Sequence, residues 1–553
     1  MSILKRSRTS LIITLACTIL PTLLLVYHFS STRWETPLFR LPDMQLPVYP
    51  TGSSASDIER PIDAILPVYE LPNPSPPNRE PIRNNKAVYP RLQLTNPSPG
   101  VYDVAQKHLN RLESTRHLLF DGSDFNREAM KKLENYLRRA VSEETYTPPK
   151  VVLTSWHWVP CAMGPCTTGE VQWIRPLIDI MKKHDIFYLF SPWERFHEDW
   201  KLLGNELVTH IWADDEHLVW CFSDPDRCLS TEKNPTGIPP WKLFAFTFWG
   251  SKPNSHKWGS NAEPYSFNPL GPEWNLVPYQ MPEKQFFLGY HYQGCQSLQY
   301  IPFERRQDKM IVLAKKSSYY YGQGHAFDPE SFFVKLKNAT KFDVISNAAE
   351  EGGFPVPKGL HSQGLLAQDE YDTLLSSAKA LLGIGRPMIS PTPFASLCRG
   401  VPVIIPYNSK VVLPHDNRTC PAQPGPDEWC GFLEDSHQHG PASLIGPPYV
   451  YTVDVNAPDE EIFKTIETAI TTPIQSYEPP EMTKEAVEER LLEYFSIDWQ
   501  LYAEERIKER ASNKIVLPLF LQRWAQKNRD TSLLSEKKSM AIRHRSRRAR
   551  NTY

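Results

Sequence analysis

The chain carries almost no excess of charge. Against 61 Lys and Arg stand 63 Asp and Glu in 553 residues, a formal net charge of −2. That balance implies no polyelectrolyte partner such as nucleic acid. Nine cysteines occur without a single Cys-x-x-Cys pair, so the usual spacing of a structural zinc site is missing. The glycines match neither a dinucleotide fingerprint nor a P-loop. Proline, in contrast, is plentiful at 52 residues, and it clusters. The length accommodates two sizeable domains plus extensions.

The N-terminus speaks to compartment. Lys5, Arg6 and Arg8 precede an uncharged, mostly apolar run at 11–27. As a helix that run would span ~26 Å, which suits a thin early-secretory membrane. Positive charge before the span places a tail, 1–10, in the cytoplasm and everything after the anchor, 11–29, in the lumen. A cleaved signal peptide is the rival, with Ser30 and Ser31 as the best small residues for cleavage. A lumenal chain is expected to form disulfides. Cys161/Cys166, Cys221/Cys228 and Cys420/Cys430 are near enough in sequence to pair, and Cys295 and Cys398 complete an even count outside the span. The sequons at Asn338 and Asn417 fit the same compartment. Residues 30–100, with 14 prolines between Ser31 and Gly100, read as an extended, largely disordered stem.

Residues 101–149 turn helical, with Met130, Leu133, Leu137 and Val141 at spacings of three and four. They form a collar before a first globular domain, 150–305. There, strands at 151–154, 186–190 and 207–212 alternate with a helix at 171–183, and such alternation predicts a parallel sheet. Glu170 falls at that helix start, on the carboxyl side of the sheet, where open α/β sheets place their sites. It could equally be a first-turn glutamate that complements the helix dipole. Trp241, Phe244, Phe246, Phe248, Trp249, Trp258 and Tyr265 could be core or sugar-stacking platforms. The apolar run 218–222 followed by Asp224-Pro-Asp226 could be a strand with an Asp-x-Asp site for Mg²⁺ or Mn²⁺. A tight turn closed by Cys221 and Cys228 is the favoured reading.

A second domain, 306–475, repeats the alternation, with strands at 310–314, 342–346 and 380–384 and helices at 329–336 and 371–378. The stretch 380–406 is the centre of the chain. Its first strand ends in Gly383 and Gly385. Thr392 can cap a short helix, Pro393 suits the first helical position and Gly400 suits the stop. A strand at 401–406 follows. A helix N-terminus at such a loop offers N–H groups to an anion, typically a phosphate; an ordinary crossover is the alternative. Residues 476–525 are helix-rich. The basic end, 526–553, reads as a solvated, disordered tail.

The stretch 383–400 resembles the donor-site segment of glycosyltransferase family 18, a run of the form GLGFPYEGPAPLEAIANGC. Gly383, Gly385, Pro387, Pro391, Pro393 and Gly400 fall in register. Gly164-Pro165 followed by Gly169-Glu170-Val171 and Leu177-Ile178 is similar to the family's GGPLGELVQWSDLI, with two extra residues before the Gly-Glu pair. Collinear likenesses follow at Trp258-Gly259, Trp274-Asn-Leu-Val-Pro-Tyr, 286–290, 361–385 and 444–454. Two family glutamates fall on Ile389 and Ala395 here.

What the resemblance implies is an α/β protein of GT-B architecture: two Rossmann-like, doubly wound domains facing a cleft, behind the N-terminal transmembrane helix and stem. It implies an inverting N-acetylglucosaminyltransferase of the Golgi membrane, single-pass type II, with its catalytic region in the lumen. UDP-GlcNAc would be the donor and a glycoprotein N-glycan the acceptor, by β-1,6 transfer to α-mannose in the family, with no cofactor and no metal. Glu170 matches the family's catalytic base. Donor-binding residues would be Gly383, Gly385, Pro391, Thr392, Pro393, Ser396 and Lys410, and acceptor-binding residues Trp258 and Trp274. Ser390, Ser396 and Lys410 are candidates to replace the missing glutamates. Two alternatives stand: a non-catalytic relative that binds glycans or a partner enzyme, and a metal-dependent transferase using Asp224 and Asp226.

Overall fold

A computed structural model describes residues 89–92, 101–120, 124–143, 147–166, 168–251, 266–282, 284–296, 300–322, 324–412, 418–424, 430, 437–513, 518–524 and 526. The anchor at 11–29, Trp258, Tyr265, Asn417 and the basic tail beyond 526 lie outside these residues. Among those described, no helix is long and apolar enough to cross a membrane.

Two parallel sheets form, as the alternation of strands and helices demands. The first comprises β1 (Lys150–Thr154), β2 (Ile186–Phe190), β3 (His210–Ala213), β4 (Leu243–Phe246), β5 (Asn275–Val277) and β6 (Phe286–Phe287), in the order β2-β1-β3-β4-β5-β6. The second comprises β7 (Lys309–Leu313), β8 (Asp343–Ser346), β9 (His361–Ser362), β10 (Ala380–Gly383), β11 (Val403–Tyr407) and β12 (Val450–Asp454), in the order β12-β11-β10-β7-β8-β9. All strand pairs are parallel, with Thr154 opposite Phe190 and Trp212, and Gly383 opposite Leu313. The central strands are almost wholly buried, because helices cover both faces, whereas the edge strand β9 is exposed.

Strand order fixes where ligands can enter. In the second sheet the order turns back between β7 and β10, and in the first between β1 and β3. Open parallel sheets take ligands in the crevice beyond the carboxyl ends of such strands. Both domains therefore offer a crevice, and the loops after β1, β3, β7 and β10 build it.

The collar is present as two helices, Val101–Thr115 and Asp124–Ser142. The second lies along β2. Asn126 accepts from the Phe190 N–H at 2.9 Å and donates back to its carbonyl at 2.6 Å. Tyr136 meets Phe187 edge-on at 5.6 Å. The 215–223 segment is a helix rather than a strand, followed by a single helical turn, Pro225–Cys228. Asp226 there bonds Lys233 and Thr231, each at 2.8 Å, and a Cys221–Cys228 disulfide closes the turn. An Asp-x-Asp site at a strand end has no scaffold here. Disulfides also join Cys161 to Cys166, Cys420 to Cys430 and Cys295 to Cys398.

Two boundaries differ from the sequence reading. The C-terminal helices Lys484–Ser496 and Trp499–Ser512 are not an appendage but return to the first domain. Trp212 Nε1–H donates to Tyr494 Oη at 3.0 Å, Trp499 packs edge-on to Phe244 at 4.8 Å, and Arg490 Nε–H donates to the Leu288 carbonyl at 3.1 Å. Inside the proline-rich segment, residues 89–92 are not disordered stem. Tyr89 packs among Phe286, Trp499 and Tyr502, and Leu92 N–H donates to the Ser496 carbonyl at 2.9 Å. Aromatic packing outweighs the local composition at that point.

Trp499 is therefore a core residue of the first domain. Trp499→Ala should destabilise it by about 3–5 kcal/mol. Urea unfolding followed by tryptophan fluorescence measures this, and an unchanged midpoint would mean these helices lie outside its core.

Candidate functional site

The helix Gly169–Lys183 begins at an N-cap, Thr168, whose side chain accepts from the Val171 N–H. It starts immediately against the second domain. A Cβ at Gly169 would lie 2.9 Å from Pro391 Cδ and 3.3 Å from the Phe248 ring. Only a residue without a side chain lets the two elements approach so closely. Glu170, next in sequence, is partly exposed and has no hydrogen bond or ion pair among the described residues. Tyr279 and Tyr290 stack behind it, with centroids 5.7 Å apart. Burial pushes both phenols well up, with the Glu170 charge adding to it. The two tyrosines stay neutral, and Tyr279 stacks across the domain boundary on Phe394 at 5.6 Å.

Two cavities bear on this site, one on the domain boundary and one within the second domain. The smaller, about 210 Å³, has Thr168, Gly169 and Gln172 on one wall and Lys315, Asn347 and Thr392 among the residues opposite. The larger, about 480 Å³, lies within the second domain at the carboxyl ends of β10, β11 and β12 and under the loop after β7. Its volume falls in the range of small-ligand sites. Its lining includes His325, Gly385, Arg386, Tyr407, His437 and Gln438. His437 stacks on Tyr407 at 5.1 Å, and burial holds its imidazole down at about 4, so it is neutral near pH 7. Gly385 takes a φ of 95°, and its N–H donates to Gln438 Oε1 at 2.9 Å.

The residues predicted from sequence divide between the site and the core. Gly385, Pro391 and Thr392 line the two cavities, whereas Glu170, between Gly169 and Gln172, is in neither lining. Gly383 lies at the end of β10, where a Cβ would strike the Gln438 side chain at 2.2 Å, so it admits Gln438 rather than a ligand. Pro393 is buried within its helix. Ser396 is fully buried and donates to the Val401 carbonyl at 2.9 Å, so it cannot bind a donor. Trp274 is also a correction: it is fully buried, its indole N–H donates to the Trp241 carbonyl at 3.0 Å, and it stacks on Tyr502. It is core, not acceptor platform. Phe244, Phe246 and Phe248 are core as well, whereas Trp249 is exposed. Lys410 is exposed and outside both linings. Asn338 is exposed on the helix Phe332–Thr340.

The phosphate cradle expected at the 392–397 helix also changes. That helix spans only six residues, Pro391 rather than Thr392 occupies the cap position, and no side chain caps it. Pro391 and Pro393 have no N–H, and that of Thr392 goes to Ser390 Oγ at 3.2 Å. Cations near the crevice are Lys315, just past β7, and Arg386, just past β10. A Lys-Lys pair directly after the first strand of this sheet was the available signal for Lys315. His437 and Gln438 carried no local signal, because they reach the cavity from a distant loop.

Beside Glu170, His157 Nδ1 lies 2.7 Å from Asp214 Oδ1. The Asp214 hydrogen bond and charge, with Glu170 contributing, raise the imidazole above its ordinary value despite partial burial.

Residues 251–510 match the model described as Glycosyltransferase family 18. Alpha-1,6-mannosylglycoprotein 6-beta-N-acetylglucosaminyltransferase B of Homo sapiens is 33% identical over 234 residues, which are 40% of this chain and 28% of that protein. The corresponding transferase A of Homo sapiens is 23% identical over 232 residues, 40% of this chain and 29% of that protein. The chain thus spans under a third of the length of these curated relatives. A solved UDP-GlcNAc 2-epimerase of Methanocaldococcus jannaschii, in complex with UDP-GlcNAc and UDP, aligns at a TM-score of 0.33 and 9% identity, covering 63% of this chain and 98% of that one. The resemblance to family 18 is shown over the matched residues.

At Gly385, a Cβ would meet the Gly324 carbonyl oxygen at 2.0 Å on top of the positive φ. Gly385→Ala should cost about 1–3 kcal/mol. Differential scanning calorimetry reads this, and a wild-type midpoint would mean that the loop after β10 takes another path.

Proposed function

We propose that the chain is a membrane-anchored, lumenal glycosyltransferase of the Golgi. It moves N-acetylglucosamine from UDP-GlcNAc to a hydroxyl of a glycoprotein glycan, with inversion. One observation carries the reading: the glycine before Glu170 sits against Pro391, so the helix start that bears the carboxylate meets the loop similar to the family's donor segment. The match over residues 251–510 and the activities for which the relatives are named suggest the sugar and the acceptor class. The β-1,6 linkage to mannose comes from those names alone.

The chemistry needs a base, a cradle for the leaving diphosphate and a gap for one sugar. Glu170 takes the proton of the acceptor hydroxyl as its oxygen attacks the anomeric carbon. The bond from that carbon to the diphosphate oxygen breaks, and its electron pair leaves with UDP. The nucleoside would occupy the larger cavity, against Tyr407 and His437. The diphosphate would run toward Arg386 and Lys315, with the sugar in the smaller cavity beside Thr392. Positive side chains aimed at the developing charge do the work that a divalent ion does elsewhere, so no metal enters this scheme.

A second reading, a non-catalytic relative that binds glycans or a partner enzyme, draws on Ile389 and Ala395. Both are buried, at 4% and 3% exposure, where the family run carries carboxylates.

Turnover of UDP-GlcNAc by wild type and Glu170→Gln tests the proposal. A positioned base contributes about 10²–10⁴-fold, and a loss of that size is expected in the variant. Equal turnover would remove Glu170 from the mechanism. Wild-type protein that shows no heat of binding with UDP would favour the non-catalytic reading.

A further inference from the structure

The strand order of the first sheet turns back between β1 and β3, and a side-chain pair occupies that crevice. His157 lies just past β1 and Asp214 just past β3. One carboxylate holds the histidine twice. Its Oδ1 lies 2.7 Å from Nδ1, and its Oδ2 accepts from the His157 backbone N–H at 3.2 Å. The imidazole is nevertheless 63% exposed, while Asp214 is only 12% exposed. Nε2, the far ring nitrogen, has no partner among the described residues. A fixed ring with its outer nitrogen free is the arrangement of a group that presents a proton donor.

The surroundings favour the charged form of that donor, the Asp214 hydrogen bond first, and raise the imidazole above its ordinary value. Asp214 also faces His217 Nδ1 at 3.6 Å. His217 in turn meets Ser155 Oγ at 3.3 Å and stacks on Trp193 at 3.9 Å. Burial pushes His217 down to about 4, so it is neutral and does not compete for the carboxylate's charge. The charged groups acting on His157 are Asp214, then Glu170 and Asp215. All are acidic, and Glu170 belongs to the opposing helix start. The alternative role, pinning the loop after β1, uses the backbone bond and leaves the exposed ring nitrogen without a purpose.

We propose that His157 holds the acceptor: its Nε2–H donates to the same hydroxyl oxygen whose proton Glu170 removes. This rests on the transferase reading above. The hydroxyl donates to the carboxylate and accepts from the imidazolium, so its oxygen gains stabilisation as negative charge builds on it. The proton moves to Glu170, the new bond forms from that oxygen to the anomeric carbon, and the bond to the diphosphate breaks. His157 keeps its proton throughout, and Asp214 is a positioning residue that orients it.

The sign of the pH dependence follows. The active form is the imidazolium, whose folded value is raised, so activity is present below that value and lost as pH rises through it. Transfer from UDP-GlcNAc to a mannose-terminated oligosaccharide, followed by UDP release against pH on the full chain, tests this. His157→Ala should lower kcat about 10²-fold, the typical loss for one transition-state donor. His157→Gln keeps an N–H donor and should lose the alkaline limb. Asp214→Asn should keep the limb but move it to lower pH, because its carboxylate is the largest cause of the raised value. His157→Gln changes an exposed side chain and keeps the test valid if Asp214→Asn does not fold. Identical alkaline limbs in wild type and His157→Gln, or wild-type kcat in His157→Ala, would overturn the inference alone. Wild-type protein that leaves UDP-GlcNAc untouched would overturn the transferase reading and the inference with it.

Discussion

The seat of Gly169 on Pro391 is the contact on which the arrangement depends. The helix start in the first domain and the loop after β10 in the second meet there with no side chain between them. The contact is flanked by Tyr279 on Phe394 and by Tyr279 edge-on to His439 at 5.3 Å. His439 is buried and neutral, and its Nε2 meets the Ser390 carbonyl. These rings set the spacing between the two crevices. The gap between the two crevices follows from that spacing rather than from any one loop.

The site pairs unlike materials. On the first-domain side stand acidic groups and a held imidazole: Glu170, Asp214, His157. On the second-domain side stand cations and neutral rings: Lys315, Arg386, Tyr407, His437. Under the proposed function a nucleotide sugar would match this polarity, with its anionic end at the second domain and its reactive carbon toward the first. The two family glutamates that became Ile389 and Ala395 leave an apolar stretch on the second-domain wall. Polar side chains lining the gap include Asn347, Gln368 and Thr392 and, on the first-domain side, Thr168 and Gln172.

Much of this was legible from sequence where periodicity and punctuation agree. Every strand proposed at 151–154, 186–190, 310–314, 342–346 and 380–384 has its counterpart within a residue or so, because buried parallel strands are short apolar runs bounded by turns. That the helix start bearing Glu170 faces the loop bearing Pro391 was an expectation of the family resemblance and not of spacing, since 221 positions separate the two residues in the chain. Trp274 and Ser396 were misassigned for one reason. A motif match records that a residue type recurs, and an aromatic or hydroxyl recurs as readily for packing as for binding. The cradle at residue 392 failed because prolines that shape a helix start also strip it of donors. His157 was passed over because its partner Asp214 arrives from another strand. Tyr89 and the returning helices were missed because aromatic docking over long separations leaves no local pattern.

The return of residues 484–512 to the first sheet has a consequence for synthesis. A ribosome delivers β1 to β6 long before the helices that cover them, and completes the entire second sheet in between. The later-coded half can thus reach its native packing while the earlier-coded half still exposes Trp212, Phe244 and Phe286. The N-terminal half is the last to close, and a chaperone would find its exposed substrate there.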